Sequence, residues 1–376
     1  MKPLHIEICD VTLRDGEQTP GVSFTCEEKV RIAEVLDQIG VEVIEAGFPA
    51  TSSYEKRCVS SVAAAGLDAR ICCLARARKA DVDAAIDANV DIVSIFIPTS
   101  ELHVRHKFHV PREKVLAEAL EMVDYTHDHG LKVRFAAEDA SRTDLPFLLD
   151  AYRQAEEHNA DLLSFADTVG AMTPLEMYRT MGKIVRSVKK PLCAHCHNDM
   201  GMATANTIAA AEAGAFQLHT TVNGIGERAG NASLEEVLVA LYMKEGVRRY
   251  DLSHLVSLSN MVAQYSGIQV DELKPVVGEH AFRHESGIHI AAILEDPSTY
   301  EYFPPSLVGA TRKFTLGKHT GKKALEHEVA RLGYSLPEED LCRVLELVKD
   351  RGEKKVDLTD ETLIDLIKTV TGGKSP

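Results

Sequence analysis

Two hydrophobic periods alternate along roughly the first 245 residues. Short Val/Ile-rich runs such as Asp91-Ile-Val-Ser-Ile-Phe-Ile-Pro are almost continuously apolar, as strands covered on both faces are. The stretches between them place apolar residues three and four apart, the spacing of an amphipathic helix. The first pattern predicts strands near 4–9, 41–47, 70–74, 91–97, 131–137, 161–166, 191–197 and 216–222. The second predicts helices near 26–39, 53–65, 79–89, 112–129, 144–158, 174–188, 202–213 and 233–244. Several have start signals: Thr25-Cys-Glu-Glu, Thr143-Asp-Leu-Pro, Thr173-Pro-Leu-Glu and Ser233-Leu-Glu-Glu. Eight strand–helix units point to an α/β chain folded as a (β/α)8 TIM barrel. A doubly wound open sheet is the alternative, but the Gly-rich string Asn223-Gly-Ile-Gly-Glu-Arg-Ala-Gly sits at the eighth strand, not the first. Beyond the barrel, 251–270 reads as helical, a Pro-rich stretch runs through Pro297, Pro304 and Pro305, and a helical tail with caps at Ser335 and Thr359 covers 323–370. The expected division is a catalytic barrel over 1–250, a linker subdomain over 251–325 and a mostly helical C-terminal extension over 326–376.

Composition changes this picture little, but charge narrows the partners. The 376 residues carry a formal net charge of −15, which argues against nucleic acid or an anionic membrane surface as a partner. No apolar run approaches the length of a membrane span, and Met-Lys-Pro-Leu-His leads directly into a strand without a signal-peptide pattern, so a cytoplasmic protein is expected. The 8 cysteines lack the spacing of a disulfide scaffold. Cys193 and Cys196 form a C-x-x-C string, yet on a strand they fall on opposite faces, which excludes a shared redox or zinc role.

A barrel of this kind collects its chemistry at the C-terminal ends of its strands. Polar and ionisable residues gather there: Arg14, Asp15 and Gln18 after strand 1, Glu45 in strand 2, and Glu138 with Asp139 after strand 5. Thr168 follows strand 6, and Glu227, Arg228 and Asn231 follow strand 8. Strand 7 ends in His195-Cys-His197, two imidazoles on one face about 7 Å apart along the strand. With a carboxylate from elsewhere, such a pair can hold one divalent cation.

The strings Thr12-Leu-Arg-Asp-Gly-Glu-Gln18, His195-Cys-His197-Asn-Asp and Gly224-Ile-Gly-Glu-Arg-Ala-Gly-Asn231 together resemble the metal-dependent Claisen-condensing barrels. These are the homocitrate, 2-isopropylmalate and citramalate synthases, with hydroxymethylglutaryl-CoA lyase a distant relative. The resemblance runs from residue 5 to about 325 and includes His284-Glu-Ser-Gly-Ile-His289 and Tyr300. It implies one divalent metal ion (Mg, Mn, Zn or Co) held by Asp15, His195 and His197, with Asn231 directly or through water. It implies acetyl-CoA and a 2-oxo acid as substrates, and Arg14 as stabiliser of the thioester enolate. Glu138 takes the place of the active-site carboxylate, and Thr168 that of a hydrogen-bond donor to the 2-oxo acid. Gln18, Leu74 and Arg134 fall on further substrate positions. His289 and Tyr300 match proton-transfer residues that cross from the other subunit of a homodimer, so 251–325 would contribute to the partner's active site. Asp199 is expected behind the metal histidines, and Glu138 could also pair structurally with Arg134 or Arg142.

The identity of the 2-oxo acid draws on mixed features. Gly47-Phe-Pro-Ala and Leu74-Ala-Arg-Ala resemble 2-isopropylmalate synthases, whereas Phe165-Ala-Asp-Thr-Val-Gly170 and the run from Thr220 to Asn231 resemble homocitrate synthases, those of nitrogen fixers and methanogens for the latter. After strand 4, His103-Val-Arg105-His106-Lys107-Phe-His109 reads as a cationic loop on an acidic protein, suited to a distal carboxylate or simply solvated. The reading favoured is homocitrate synthase acting on 2-oxoglutarate, with 2-isopropylmalate synthase as the alternative. A lyase of the same fold would need a loop cysteine near the metal, and 224–231 has none. A non-catalytic metal or CoA-ester binding protein would not need Arg14, Glu138, His289 and Tyr300 together.

Overall fold

The computed structural model describes residues 5–356 and 358–372. These divide into two compact units, 5–270 and 271–372. In the first unit eight parallel strands close in sequence order into a barrel: β1 (Glu7–Asp10), β2 (Val43–Glu45), β3 (Arg70–Arg76), β4 (Ile92–Pro98), β5 (Lys132–Glu138), β6 (Leu162–Asp167), β7 (Leu192–Cys196) and β8 (Gln217–Thr220). Closure is made by β8 pairing with β1, with Cys9 opposite His219 and Asp10 opposite Thr220. Closing the sheet removes both edges and leaves every strand buried on two faces, which is why the strands read as nearly unbroken apolar runs.

The outer ring is α1 (Cys26–Ile39), α2 (Ser53–Ala63), α3 (Lys79–Asp87), α4 (Glu101–Lys107), α5 (Arg112–Asp128), α6 (Leu145–Glu157), α7 (Pro174–Val185), α8 (Ala203–Glu212) and α9 (Leu234–Ala240), followed by α10 (Leu255–Ser266). The expected starts at Thr25 and Thr173 are capping boxes: each hydroxyl accepts from the third helical N–H while that residue's Glu returns the bond. Asp144, one residue past Thr143, caps α6. The cationic stretch after β4 is not a loop but α4, started by Ser100 and ended by Arg105, His106 and Lys107, where cations favour the negative end of the helix. Cys26 and Cys58 form a disulfide between α1 and α2, a pairing 32 residues apart that has no scaffold-like spacing and is created by helix packing. Cys193 and Cys196 do face opposite sides: the first meets Gln217 inside the barrel, the second interacts with Thr207 of α8.

The second unit pairs β9 (Arg283–His284) with β10 (Lys313–Phe314) and contains α11 (Gly287–Glu295), α12 (Lys322–Arg331), α13 (Glu338–Glu353) and α14 (Asp360–Thr371). Its last three helices close over Leu325, Val329, Val344, Val348, Leu363 and Ile367. Thr359 caps α14 as expected, but α13 begins after Pro337 rather than Ser335, because the ring of Pro337 presets the backbone angle at the turn. Residues 287–295 are helical although their sequence, apolar nearly all round, lacks an amphipathic period.

Candidate active site

Strand alternation delivers the site. Residues two apart on adjacent strands point into the barrel, and at its C-terminal end they line a cavity of about 300 Å³. Ser94 and Phe96 of β4, Arg134, Ala136 and Glu138 of β5, Ser164 and Ala166 of β6, His195 and His197 at β7, and His219 of β8 share that wall with Leu74 of β3. The loop after β1 adds Arg14, Asp15 and Gln18; Phe48, Thr168, Glu227 and Arg228 complete the rim.

Two loops fold back over this mouth for identifiable reasons. After β1 the N–H groups of Arg14, Asp15 and Gly16 all turn onto the carbonyl of Val11, at 3.1, 2.8 and 3.1 Å. After β8 the chain returns to β7: Asn198 N–H donates to Gly230 and Ala232 N–H to Cys196, and His197 pairs with Asn231. Gly226 makes this possible, since a Cβ there would lie 2.1 Å from Asn231 Nδ2.

Asp15, His195 and His197 converge, all buried, with ligand atoms within 4.8 Å of one another. Asp15 Oδ2 lies 3.7 Å from His195 Nε2 and 3.9 Å from His197 Nε2, and the two Nε2 atoms are 3.2 Å apart. His197 Nδ1 donates to the Gly230 carbonyl at 3.2 Å, which leaves Nε2 with its lone pair toward the group. Burial, then the neighbouring His197, pushes His195 down to about 3, so it is neutral at working pH. Burial acts to raise Asp15, but the Arg14 guanidinium, helped by the hydrogen bond from Asn231, holds it well below the usual carboxylate range. Asn231 donates to Asp15 Oδ1 at 2.7 Å, and its own Oδ1 is buried without a hydrogen-bond partner among the described residues. A deprotonated carboxylate, two neutral imidazoles and an orphaned amide oxygen fit a divalent cation. Asp199 supports His197 by its charge rather than by a hydrogen bond: its carboxylate pairs with Arg228 at 2.7 Å, and the Gly230 carbonyl takes the His197 Nδ1–H.

Beneath the ligands runs a buried chain of charge. Arg14 reaches Asp15 Oδ2 at 2.5 Å and Glu45 Oε1, and Arg134 binds the other oxygen of Glu45. Burial works to raise Glu45, yet the flanking Arg14 and Arg134 keep it lowered. Arg134 donates further to Ser94 Oγ, Gln217 Oε1 and His219 Nε2 at 3.0, 3.1 and 3.0 Å. His219 in turn packs edge-on against His195. Glu138 therefore pairs with neither Arg134 nor Arg142; its Oε1 meets Lys107 of α4 at 2.5 Å, while Oε2 is buried without a partner among the described residues. His103 lies 3.6 Å from the same Glu138 oxygen. Thr168 Oγ1 accepts from the Asp139 N–H at 2.9 Å at the rim. His289 and Tyr300 belong to the second unit, where both are exposed and their rings stack at 3.9 Å. Sequence reasoning assigned no role to Glu45 or His219. A carboxylate inside the apolar strand Val43-Ile-Glu and a histidine two residues from Gln217 on an inward face were the available signals.

Comparison with known proteins agrees with this arrangement. The family model described as HMGL-like matches residues 5–262, and a second, described as homocitrate synthase post-HMGL domain-like, matches 276–356. Homocitrate synthase AksA of Methanosarcina acetivorans is 54% identical, the match spanning 100% of this chain and 93% of that one. Homocitrate synthase AksA of Methanosarcina mazei is 57% identical over 94% of this chain and 88% of its own length. A probable 2-isopropylmalate synthase of Methanopyrus kandleri is 51% identical over 94% of this chain and 71% of itself. In fold, the Bacillus subtilis HMG-CoA lyase structure superposes with a TM-score of 0.64 at 20% identity, over 71% of this chain and 96% of that one. Such a family match across the whole barrel, joined to half-identity along the full chain, means that this chain belongs to the HMGL-like family.

Proposed function

We propose that this chain is a homocitrate synthase, an acetyl-CoA-dependent acyltransferase that condenses acetyl-CoA with 2-oxoglutarate and, with water, releases homocitrate and CoA. The observation that carries the reading is the convergence of Asp15, His195 and His197 beside Arg14 in one cleft, on a chain more than half identical to homocitrate synthases along its length. Asp15, His195 and His197 would hold a divalent cation of the Mg, Mn, Zn or Co group, with Asn231 alongside. When bound, that ion supplies Lewis-acid polarisation of the ketone of the 2-oxo acid.

The remaining chemistry falls to side chains. Arg14 stays charged at any working pH and offers N–H groups to the thioester oxygen as it gains charge on loss of a methyl proton. Its direction is set by Asp15 and Glu45. Glu138, with one oxygen held by Lys107 and the other unpaired, acts as an acid–base group. His289 and Tyr300, from the second subunit of a homodimer, move the proton between the methyl carbon and the site, so that 251–325 serves its partner's cleft. Gln18, Leu74, Arg134 and Thr168 bind the 2-oxo acid, Thr168 at its carboxylate. Water then cleaves the condensed thioester, freeing the thiol. No helix among the described residues is long and apolar enough to cross a membrane, which is compatible with work in the cytoplasm.

A specific observation favours a second reading, 2-isopropylmalate synthase. Leu74, Phe48 and Phe96 give one side of the cavity an apolar face, suited to a branched aliphatic 2-oxo acid. Free-thiol release from acetyl-CoA, measured over a panel of 2-oxo acids, decides between them. The expected outcome is turnover with 2-oxoglutarate; a response confined to 2-oxoisovalerate would replace this reading by the second.

A further inference from the structure

Lys29 lies on α1, in the outer ring, yet it is fully buried and its ammonium ends under the barrel mouth. Nζ donates to the carbonyl of Leu13 at 3.0 Å and to that of Ala46 at 3.2 Å. Leu13 is the residue before Arg14, and Ala46 is the residue after Glu45. The same ammonium pairs with both oxygens of Glu55, at 2.7 and 3.0 Å, and with Glu17 at 2.7 Å. Each carboxylate passes the restraint on: Glu55 accepts from Phe48 N–H at 3.1 Å and Glu17 from Phe24 N–H at 2.8 Å. Gly47 is required where these strands meet, because a Cβ there would lie 1.9 Å from Glu55 Oε1.

We propose that Lys29 is a positioning residue for the condensation: it locks the ends of β1 and β2 to each other and thereby aims Arg14 at the reacting thioester. This rests on the synthase reading above. Arg14 and Glu45 form one ion pair across these two strand ends, so any shift of Leu13 against Ala46 turns the guanidinium away from Asp15 and the ligand group. Salt bridging alone would need only the carboxylates. The two carbonyl bonds are what a compact ammonium adds, and the planar fork of arginine does not reproduce them.

The test compares Lys29→Met, Lys29→Arg and the double variant Lys29→Met/Glu55→Leu, which removes together with the cation the carboxylate it holds through both oxygens, while Glu17, a fifth exposed, keeps water and the Phe24 N–H as partners. Each is assayed for melting temperature, Mn²⁺ affinity by titration, and kcat and KM with acetyl-CoA and 2-oxoglutarate. The double variant is expected to regain the melting temperature lost by Lys29→Met. Its kcat should nevertheless stay about 100-fold below wild type, the cost of a misplacement on the order of 1 Å. Mn²⁺ affinity should fall about 10-fold as Asp15 loses its fixed neighbour, the size of effect seen when a supporting contact to a ligand is lost. Lys29→Arg should fold and share both losses. A double variant with wild-type melting temperature, kcat and Mn²⁺ affinity would overturn the proposal and leave Lys29 a purely structural ion pair. If Lys29→Met precipitates, the double variant carries the comparison. A wild-type chain that binds Mn²⁺ but releases no thiol defeats the synthase reading instead, and the titration still judges Lys29.

Discussion

Glu138 is the residue on which acid–base chemistry and metal binding separate. Its carboxylate lines the cleft but is not among the converging ligand atoms. Glu138→Gln preserves shape and the ability to accept from Lys107 while removing the ionisable oxygen. Titration calorimetry with Mn²⁺ should then give wild-type affinity, while thiol release drops by at least about 100-fold, the lower range for loss of a general acid–base group. Normal turnover in that variant would remove Glu138 from the mechanism. Asp10, deeper in the barrel wall, bears on stability instead. Burial raises it to about 7, opposed by bonds from the Thr12 hydroxyl and backbone and reinforced by the charge of Glu235 on α9. Between roughly pH 4 and 7 the folded chain keeps this proton and the unfolded chain does not, so the contribution of Asp10 to stability falls as pH rises through that window. The slope from this one group approaches about 1.4 kcal/mol per pH unit. The buried histidines, whose charged form burial disfavours, contribute a slope of the opposite sign below about pH 6.5, so the effect of Asp10 is read as a difference. The urea midpoint of Asp10→Asn should rise relative to wild type between about pH 4 and 7.

At the scale of elements, α1 and α2 form a braced pair. Their disulfide, Cys26–Cys58, sits one turn from Lys29 on the first helix and one turn from Glu55 on the second. Closing a loop across 32 residues of chain is worth about 3–4 kcal/mol in the chain-entropy account. Thiol titration in denaturant without reductant should therefore find six free cysteines, and reduction or Cys26→Ser/Cys58→Ser should lower the melting temperature by several degrees. Eight reactive thiols would show the bond to be absent in solution. Helix α4 illustrates a different element-scale lesson. Its residues read as a cationic loop, suited to a distal carboxylate or simply solvated, but Ser100 starts a helix whose i, i+4 pair His103 and Lys107 both turn to Glu138.

For the whole molecule, the proposed homodimer makes a demand on assembly. His289 and Tyr300 are exposed and stacked in the second unit, each with an aromatic face available to a partner. If they act across subunits, Glu138→Gln and Tyr300→Phe disable different halves of one site. Chains carrying these changes separately should each be nearly inactive, whereas co-expression should restore activity. Random pairing makes half the dimers mixed, each with one intact site, so about a quarter of wild-type activity is expected. No recovery in demonstrably mixed dimers would place Tyr300 in its own chain's site or outside it.

Periodicity determined the eight strand–helix units, because buried parallel strands and their covering helices leave two distinct spacings in the chain, and the place of the Gly-rich string at the eighth strand favoured a barrel over an open sheet. Periodicity also determined that His195 and His197 share a face, since a strand repeats every two residues whatever surrounds it. The meeting of Asp15 with the histidines was implied by the resemblance of the sequence motifs; what only the tertiary structure decided are the other meetings of residues far apart in the chain: Glu45 between Arg14 and Arg134, His219 against His195, and Lys29 beneath two strand ends. A buried charge has to be paired, but the chain does not say with which partner, because that depends on how strands close and helices pack. Register and closure, set by the sum of many apolar contacts, chose those partners.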